Sequence, residues 1–408
     1  MTGGAGIPPP IVPERSARSG LNPWTVAVVF SLLMFVVGSD LNLIAPFVLP
    51  IARSFHVSAG GVGWLVTVFA AGSALASPLA GGLADHLGHR KVLHWGLGGF
   101  VVFDALTGLA PTFPLLVVAR AFTGMSAGAV SSMAYALVAD VIPRRMHARA
   151  MSVVSMGFSL STVAGVPLGM LFARELGWRG TMLAIAVALV AVGAAVQGVL
   201  RPWRLASHPA PAGRHGYDAR TLLRLSWPSL SASLLAFFAV GMVYTYLPAF
   251  LESQGIRHFT ELLYILSGYG AANLAGNYVL GRLGDRRGPW FAVHLAQLAE
   301  AATIIGMGFS AAFLPLWTDI LWAWAFAFAQ AYIPDLKALA GTVPLRVRAS
   351  SLAWNNTAMY AGMMIGSGIG ARLFCPSTFW ILAGIAAMAV LLGFGITDRQ
   401  RTPATSRG

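Results

Sequence analysis

The chain is a succession of apolar runs, each long enough to cross a lipid bilayer and each almost free of charge. A helix needs about 20 consecutive apolar residues to span the hydrocarbon core. Runs of that kind, bounded by charged or Pro/Gly clusters, fall at roughly 24–50, 60–83, 91–110, 115–141, 149–172, 180–200, 222–251, 260–282, 290–310, 314–336, 349–373 and 378–397. Of the 408 residues, 10% are charged and 57% are hydrophobic, against about 25% charged in an average soluble domain. So little charge cannot cover a water-facing surface of this size. The sequence predicts an all-α integral membrane protein with twelve transmembrane helices.

The net charge of +13 is distributed as a membrane topology requires, not as a nucleic-acid patch. With both termini in the cytoplasm, twenty-one of the 27 Lys and Arg residues fall on the cytoplasmic side, five on the opposite side, and Arg120 alone within a span. That is the positive-inside asymmetry, and an odd number of spans would destroy it. Residues 1–23 are rich in Gly, Pro and Arg and lack the apolar core and cleavage site of a signal peptide. They read as a cytoplasmic tail, as do residues 398–408. A cytoplasmic central loop, 201–221, carries Pro202, Pro209, Pro211 and four Arg. It divides the chain into an N-terminal six-helix bundle, 24–200, and a C-terminal one, 222–397. The single cysteine, Cys375, excludes an internal disulfide and a thiolate metal cluster.

The two halves repeat. Gly81-Gly82-Leu83-Ala84-Asp85-His86-Leu87-Gly88 matches Gly281-Arg282-Leu283-Gly284-Asp285-Arg286-Arg287-Gly288 at an offset of 200. Pro46 matches Pro248 at 202, and Pro143, Gly165 and Gly169 match Pro344, Gly366 and Gly370 at 201. Paired halves around a membrane-normal axis are a recurring transporter plan, with the solute site at the interface near the midplane.

The loop after the second span sets Gly81, Asp85, Gly88, Arg90 and Lys91 close together, and its second copy supplies Asp285 and Gly288. Gly88 permits a tight turn with positive φ. Asp140 and Arg144 lie at a neighbouring cytoplasmic helix end. Such a charged knot can latch helices together in one state and release them in another. A plain topology-setting basic loop is the blander alternative. Gly157, Ser161, Gly165 and Gly169 recur every four residues in the fifth span, so they share a helix face. Small residues let helices approach closely in lipid, and Pro167 permits a bend.

These stretches resemble the major facilitator superfamily over essentially the whole chain. The Gly81–Lys91 loop resembles its cytoplasmic signature, with His86 and His89 where Arg is usual. Leu116-x-x-x-Arg120-x-x-x-Gly124-x-x-x-Gly128 is similar to the fourth-helix motif of its proton antiporters, with Thr123 where Gln is usual. Gly157, Gly165, Pro167 and Gly169 resemble the fifth-helix antiporter motif, with Val166 inserted between Gly and Pro. With Gly177-Trp178-Arg179 they are similar to the arabinose-efflux-like branch of the drug:proton antiporters. The resemblance implies an occluding role for the fifth helix, which seals the interface between the halves.

An ionisable group in the bilayer core costs about 2.5–3.5 kcal/mol and needs a partner or a cavity. Asp40, Asp104, Arg120, Glu300 and Asp319 are the clear cases. Arg120 and Asp319 are each the sixth residue of their spans, roughly 9 Å inside the membrane edge. In the resembling fold, helices one, four, seven and ten line the central cavity. The resemblance thus places Asp40, Arg120 and Asp319 around one aqueous space. Asp40 is expected to carry the proton, with Arg120 tuning it, since a nearby cation favours a carboxylate's charged form and burial its neutral form. A static Asp–Arg pair is the alternative. Asp104 and Glu300, in helices peripheral in that fold, are read as structural. Asp319 answers to Arg120 and Met242 to Asp40 across the repeat, which points to the N-terminal half for proton coupling.

The same comparison names cavity candidates: Phe35, Asn42, Phe122, Met125, Tyr244, Tyr246, Trp322 and Gln330, with Asn273, Asn277, Asn355 and Asn356 from helices eight and eleven. Tyr244 and Tyr246 lie two apart and cannot share one helical face. No nucleotide-binding loop and no metal-ligand cluster within a span is visible, so no cofactor or metal is expected. The reading is a secondary transporter exporting small organic molecules, such as drugs or a metabolite, in exchange for protons. A proton-coupled importer of a sugar or organic acid is the alternative, and an intramembrane enzyme a remote one. The expected partners are a small-molecule substrate, protons and the lipid bilayer, with no nucleic acid. A monomer in the bacterial inner membrane is expected.

Overall fold

The computed structural model describes residues 22–143, 146–201, 219–256, 258–309, 314–329, 348–375 and 379–399. Among them every regular element is a helix. Helix α1 covers Pro23–Phe55, α2 Ala59–Leu87, α3 His89–Leu109 and α4 Phe113–Val141. Helix α5, His147–Leu160, runs through a π turn at Ser161–Gly165 into α6, Val166–Leu200. Helix α7, Ala219–Val243, passes through a 3₁₀ turn at Tyr244–Tyr246 into α8, Leu247–Ser253. Then come α9 Phe259–Arg287, α10 Pro289–Phe309, α11 Leu314–Phe328, α12 Arg348–Leu373 and α13 Phe379–Arg399.

Local chemistry explains the boundaries. Asn22 accepts a hydrogen bond from the Trp24 N–H at 3.0 Å, with Pro23 opening the helix. Ser58 accepts one from the Gly61 N–H at 3.0 Å and starts α2. Inside α6 the chain reverses at Gly177, with φ 68°, so α5, the π turn and the start of α6 form one crossing and the rest of α6 the next. Both irregular turns have a proline behind them. Pro248 offers no N–H to the Tyr244 carbonyl, and that oxygen instead accepts from the Leu247 N–H in a 3₁₀ turn. Pro167 likewise leaves Val163 unserved, and the backbone widens until the Val166 N–H reaches the Ser161 carbonyl.

Eight of the described helical segments are long and apolar enough to cross a membrane, one of them being the 52-residue stretch Arg149–Leu200 that folds back at Gly177. The 29 residues of α9 and the 26 of α12 are long enough, at 1.5 Å per residue, but more polar. The tenth predicted span is described only over Leu314–Phe328.

The bundles are pseudo-symmetric, and glycine seams carry the symmetry. A Cβ added at Gly157 would overlap the Ser31 carbonyl, one at Gly165 the Ser39 hydroxyl, and one at Gly169 the Leu43 side chain. These contacts lock α5 and the start of α6 onto α1. In the other half, Gly362 meets the Leu234 carbonyl, Gly366 the Phe238 carbonyl and Gly370 the Tyr246 ring, locking α12 onto α7 and the 3₁₀ turn. Gly72 meets the Ala121 carbonyl between α2 and α4 as Gly276 meets the Phe326 carbonyl between α9 and α11.

Two further seams join the halves. Helix α2 packs along α12, where Thr67 and Ser367 hydroxyls lie 2.9 Å apart and Asn356 donates to Ser77 at 3.3 Å. Gly270 of α9 packs on the backbone at Thr162 and Val163, and Asn277 donates to Ser159 at 3.5 Å. Ser77 and Asn277 are one repeat apart, while their partners Asn356 and Ser159 stand about one helical turn out of step, so each side of the interface carries an Asn–Ser bond with donor and acceptor on opposite members of the seam. Arg53 at the end of α1 adds a 2.5 Å ion pair to Glu252 of α8.

Overpacking a well-packed contact costs about 1–3 kcal/mol. Gly157→Ala is therefore expected to lower the thermal unfolding midpoint of the detergent-purified protein. Gly98→Ala, where an added Cβ meets open space, leaves it unchanged. Equal midpoints for both variants would contradict the seam.

Candidate functional site

The most unusual chemistry lies in the N-terminal half. Arg120 projects from α4 with its side chain fully buried, and its Nη1 donates to Asp40 Oδ1 of α1 at 2.7 Å. Asp104 Oδ1 of α3 lies 3.9 Å from the same Nη1, and it too is fully buried. The Phe69 ring sits beneath the guanidinium at 4.6 Å. Asp40 Oδ2, both Asp104 oxygens, and Arg120 Nε and Nη2 have no hydrogen-bond partner among the described residues. A buried pair gains from mutual attraction what it loses in hydration only when its remaining polar atoms are also bonded. Here most are not, so the triad is an expensive arrangement to keep.

A small cavity lies between the halves, lined by Asn42, Thr162, Tyr244, Tyr269, Asn273 and Phe328, with further apolar side chains around them. Its volume is about 20 Å³, room for a single water, which needs at least about 10–15 Å³. Asn42 donates to Ser161 Oγ at 3.1 Å and to Thr162 Oγ1 at 3.3 Å, so the π turn of the fifth span reaches the cavity wall. Asn273 donates to the Ala325 carbonyl at 3.1 Å.

Of the sequence candidates, Asn42, Tyr244 and Asn273 line this cavity. Tyr246 turns away, donating to the Ser367 carbonyl at 2.7 Å and stacking on Phe374. Phe35 is half-buried in the core. Phe122 is exposed and stacks on Phe103 at 4.8 Å, and Met125 is also exposed. Phe122 stands two residues from the inward-facing Arg120, hence about 200° around the helix. Trp322 donates to the Ile265 carbonyl at 3.0 Å. Asn277 bonds across to Ser159, Asn355 is buried, and Asn356 bonds to Ser77. Gln330 lies outside the described residues.

The expected grouping of Asp40, Arg120 and Asp319 around one space does not form. Asp40 is two residues from the cavity-lining Asn42 and points back towards α3 and α4. Asp319 is exposed, whereas Trp317 and Leu321, two residues to either side, are buried. Asp104 takes the third place in the cluster. The expectation rests on the ring of helices one, four, seven and ten. It therefore also misses Phe158 and Thr162 of the fifth span, and the polar candidates taken from helices eight and eleven miss Tyr269 and Met363, all of which line the cavity. The four-residue spacing Gly157–Ser161–Gly165 is the signal that brings that stretch to α1.

At the opposite end of these helices, Gly88 and Gly288 turn α2 into α3 and α9 into α10 with φ 87° and 94°, a left-handed geometry that favours glycine. His89 Nδ1 lies 2.7 Å from Asp140 Oδ2, and Arg90 donates to the Leu200 carbonyl at 3.4 Å. These contacts tie α3 to α4 and to the end of α6, within one half. Gly81 faces open space, while Lys91 and Asp285 are exposed. The Asp85 side chain and Arg144 lie outside the described residues. Pro167 sits in the first turn of α6, directly after the π turn.

A sequence profile of the Major Facilitator Superfamily matches residues 30–342. YceJ of Bacillus subtilis (strain 168), described as an uncharacterized MFS-type transporter, is 26% identical over 89% of this chain and 93% of its own length. YbcL of the same organism, described in the same way, is 27% identical over 93% of this chain and 98% of its own length. A crystal structure of a D-xylose–proton symporter superposes with a TM-score of 0.72, covering 91% of this chain and 97% of that one at 16% identity. At that identity the likeness is one of fold.

Removing one partner of a buried ion pair costs about 3–5 kcal/mol because the other charge stays buried. Arg120→Met is expected to lower the unfolding midpoint markedly, and Asp40→Asn added to it to recover part of the loss. A second substitution that only deepens the loss would show that the two residues are not coupled through charge.

Proposed function

The chain belongs to the Major Facilitator Superfamily, and we propose that it works there as a proton-coupled exporter of small amphiphilic organic molecules. It is a multi-pass membrane protein and a secondary transporter, not an enzyme. The observation that carries the finer reading is the buried Asp40–Arg120 pair, held at 2.7 Å with both side chains fully buried. An ionisable pair inside a bilayer is expensive and marks ion or proton pathways. Asp40 is joined through α1 to the cavity residue Asn42, so a change of charge at Asp40 acts on the same helix that lines the solute site.

Two features support export. The fifth-span glycines that resemble the antiporter motif lie against α1 at Ser31, Ser39 and Leu43, on the helix that carries the cavity residue Asn42. The wall itself is aromatic and aliphatic with a few amides and hydroxyls, which suits a flat amphiphilic solute. On this reading the protein sits in a bacterial inner membrane with both termini in the cytoplasm. Residues Gly88, Arg90 and Asp140 then lie at the cytoplasmic end, and Arg53–Glu252 closes the outer end.

The test uses the full-length protein in vesicles with an imposed pH gradient and a panel of fluorescent solutes, ethidium among them. Wild type is expected to accumulate solute in an acidic lumen, and Asp40→Asn to fall to the level of empty vesicles. Accumulation only in an alkaline lumen would make the protein a proton symporter. Undiminished pH-driven accumulation by Asp40→Asn would remove Asp40 from coupling.

A further inference from the structure

The buried triad does not balance as two carboxylates and one guanidinium. With Asp40 and Asp104 both ionised, Arg120 leaves one negative charge over, in a pocket where all three side chains are fully buried. An uncompensated buried ion costs several kcal/mol even after relaxation. One added proton brings the triad to zero.

Among the described residues no other group near Asp104 supplies the missing charge. Helix α3 packs against α2, α4 and α6. Helix α2 carries no ionisable residue between Ala59 and Ala84. From α4 the facing group is Arg120, and beyond it lies Asp40 of α1. On α6, Arg179 is committed to the Gly108 and Ala110 carbonyls at 3.2 and 2.6 Å, while Arg174 and Glu175 are exposed. On α3 itself, His89, Arg90, Lys91 and His94 lie ten or more residues away, roughly 15 Å along the axis.

The geometry also assigns the proton. Asp40 accepts the 2.7 Å bond from Arg120, whereas neither Asp104 oxygen has a hydrogen-bond partner. We propose that Asp104 is a second proton-binding carboxyl, holding the triad's one proton while Arg120 is bonded to Asp40. Arg120 is a two-position switch between helices α1 and α3. Its Nη1 stands 2.7 Å from one carboxylate and 3.9 Å from the other. When it transfers its bond to Asp104, the O–H bond there breaks and one forms at Asp40. The net charge is zero before and after, and the Phe69 ring supports the guanidinium in both positions. The proton is thereby handed from α3, away from the cavity, to the helix that carries Asn42.

The assignment rests on the proton-coupled reading above, and the experiment separates the two. The first readout needs no substrate: the infrared carbonyl-stretch band of protonated carboxylic acids in the purified full-length protein at neutral pH. It is recorded in a Glu300→Gln background, to remove the other fully buried carboxyl among the described residues. A band is expected in that background. It should vanish with Asp104→Asn, and also with Asp40→Asn, because Arg120 then pairs with an ionised Asp104. A band missing from the background, surviving Asp104→Asn, or surviving Asp40→Asn would overturn the proposal.

The second readout is pH-driven ethidium accumulation in vesicles. Asp104→Asn is expected to lose it while Asp104→Glu retains it with a displaced pH profile. Driven transport in Asp104→Asn equal to wild type would overturn the carrier role. A band that behaves as expected, in a wild type whose transport of every solute tested ignores the pH gradient, would instead overturn proton coupling and leave the proton site standing.

Discussion

The structure depends on helices approaching to backbone contact at glycines. In lipid an apolar side chain gains nothing by leaving the solvent, so association rests on close packing and interhelical hydrogen bonds. Gly157, Gly165 and Gly169 bring the fifth span against α1, and Gly362, Gly366 and Gly370 do the same for α12 against α7. The same helices form the interface between the halves, through α2 with α12 and α9 with the π turn. One set of small residues thus sets both the rigidity of each bundle and the fit between the bundles. A contact built on small side chains has little interdigitation to undo, which suits surfaces that must part and rejoin.

Function enters where the repeat is broken. The seams match closely enough that Ser77 and Asn277, one repeat apart, each bond across the interface, one as acceptor and one as donor. The π turn at Ser161–Gly165 is described only on one side, its counterpart α12 being regular through Leu373. The Asp40–Arg120–Asp104 triad is equally one-sided, with Met242 and the exposed Asp319 at two of the matching places. π turns inside α-helices recur at functional sites. Here the π turn supplies the hydroxyls that bind Asn42, two residues from Asp40. The irregular backbone and the irregular charge therefore meet on one helix, α1.

Much of this is legible in the sequence, for physical reasons. Span lengths, charge placement and the offset of about 200 residues are averages over many positions, and a few deviant residues do not disturb them. Gly88 and Gly288 are legible because a positive φ favours one residue type. Helix phase is not legible in the same way. Assigning Phe122, Met125, Tyr246 and Asp319 to the cavity requires knowing each helix's rotation, and each residue of error turns a face by about 100°. The π turn and the 3₁₀ turn each shift the phase of the residues beyond them, and their proline causes act three or four residues upstream. The place of Asp104 beside Arg120 escapes a sequence reading, which takes the residue as structural, for a related reason: α3 is peripheral to the cavity, but the charge centre is not in the cavity.

That separation bears on the proposed coupling. Asp40 faces α3 and α4 while Asn42 faces the cavity, so on the proposed reading proton and solute need not touch to compete. The two residues lie on opposite faces of α1, whose glycine contacts to the fifth span leave it little freedom to rotate on its own. A cavity of about 20 Å³ admits no organic solute, so binding requires the halves to part, and the seams at α2–α12 and at the π turn are the contacts that must yield. Loosening the π turn frees the hydroxyls that hold Asn42 and shifts the helix on which Asp40 meets Arg120. Opening the pathway and disturbing the triad are on this account one motion, because the same few turns of α1 take part in both.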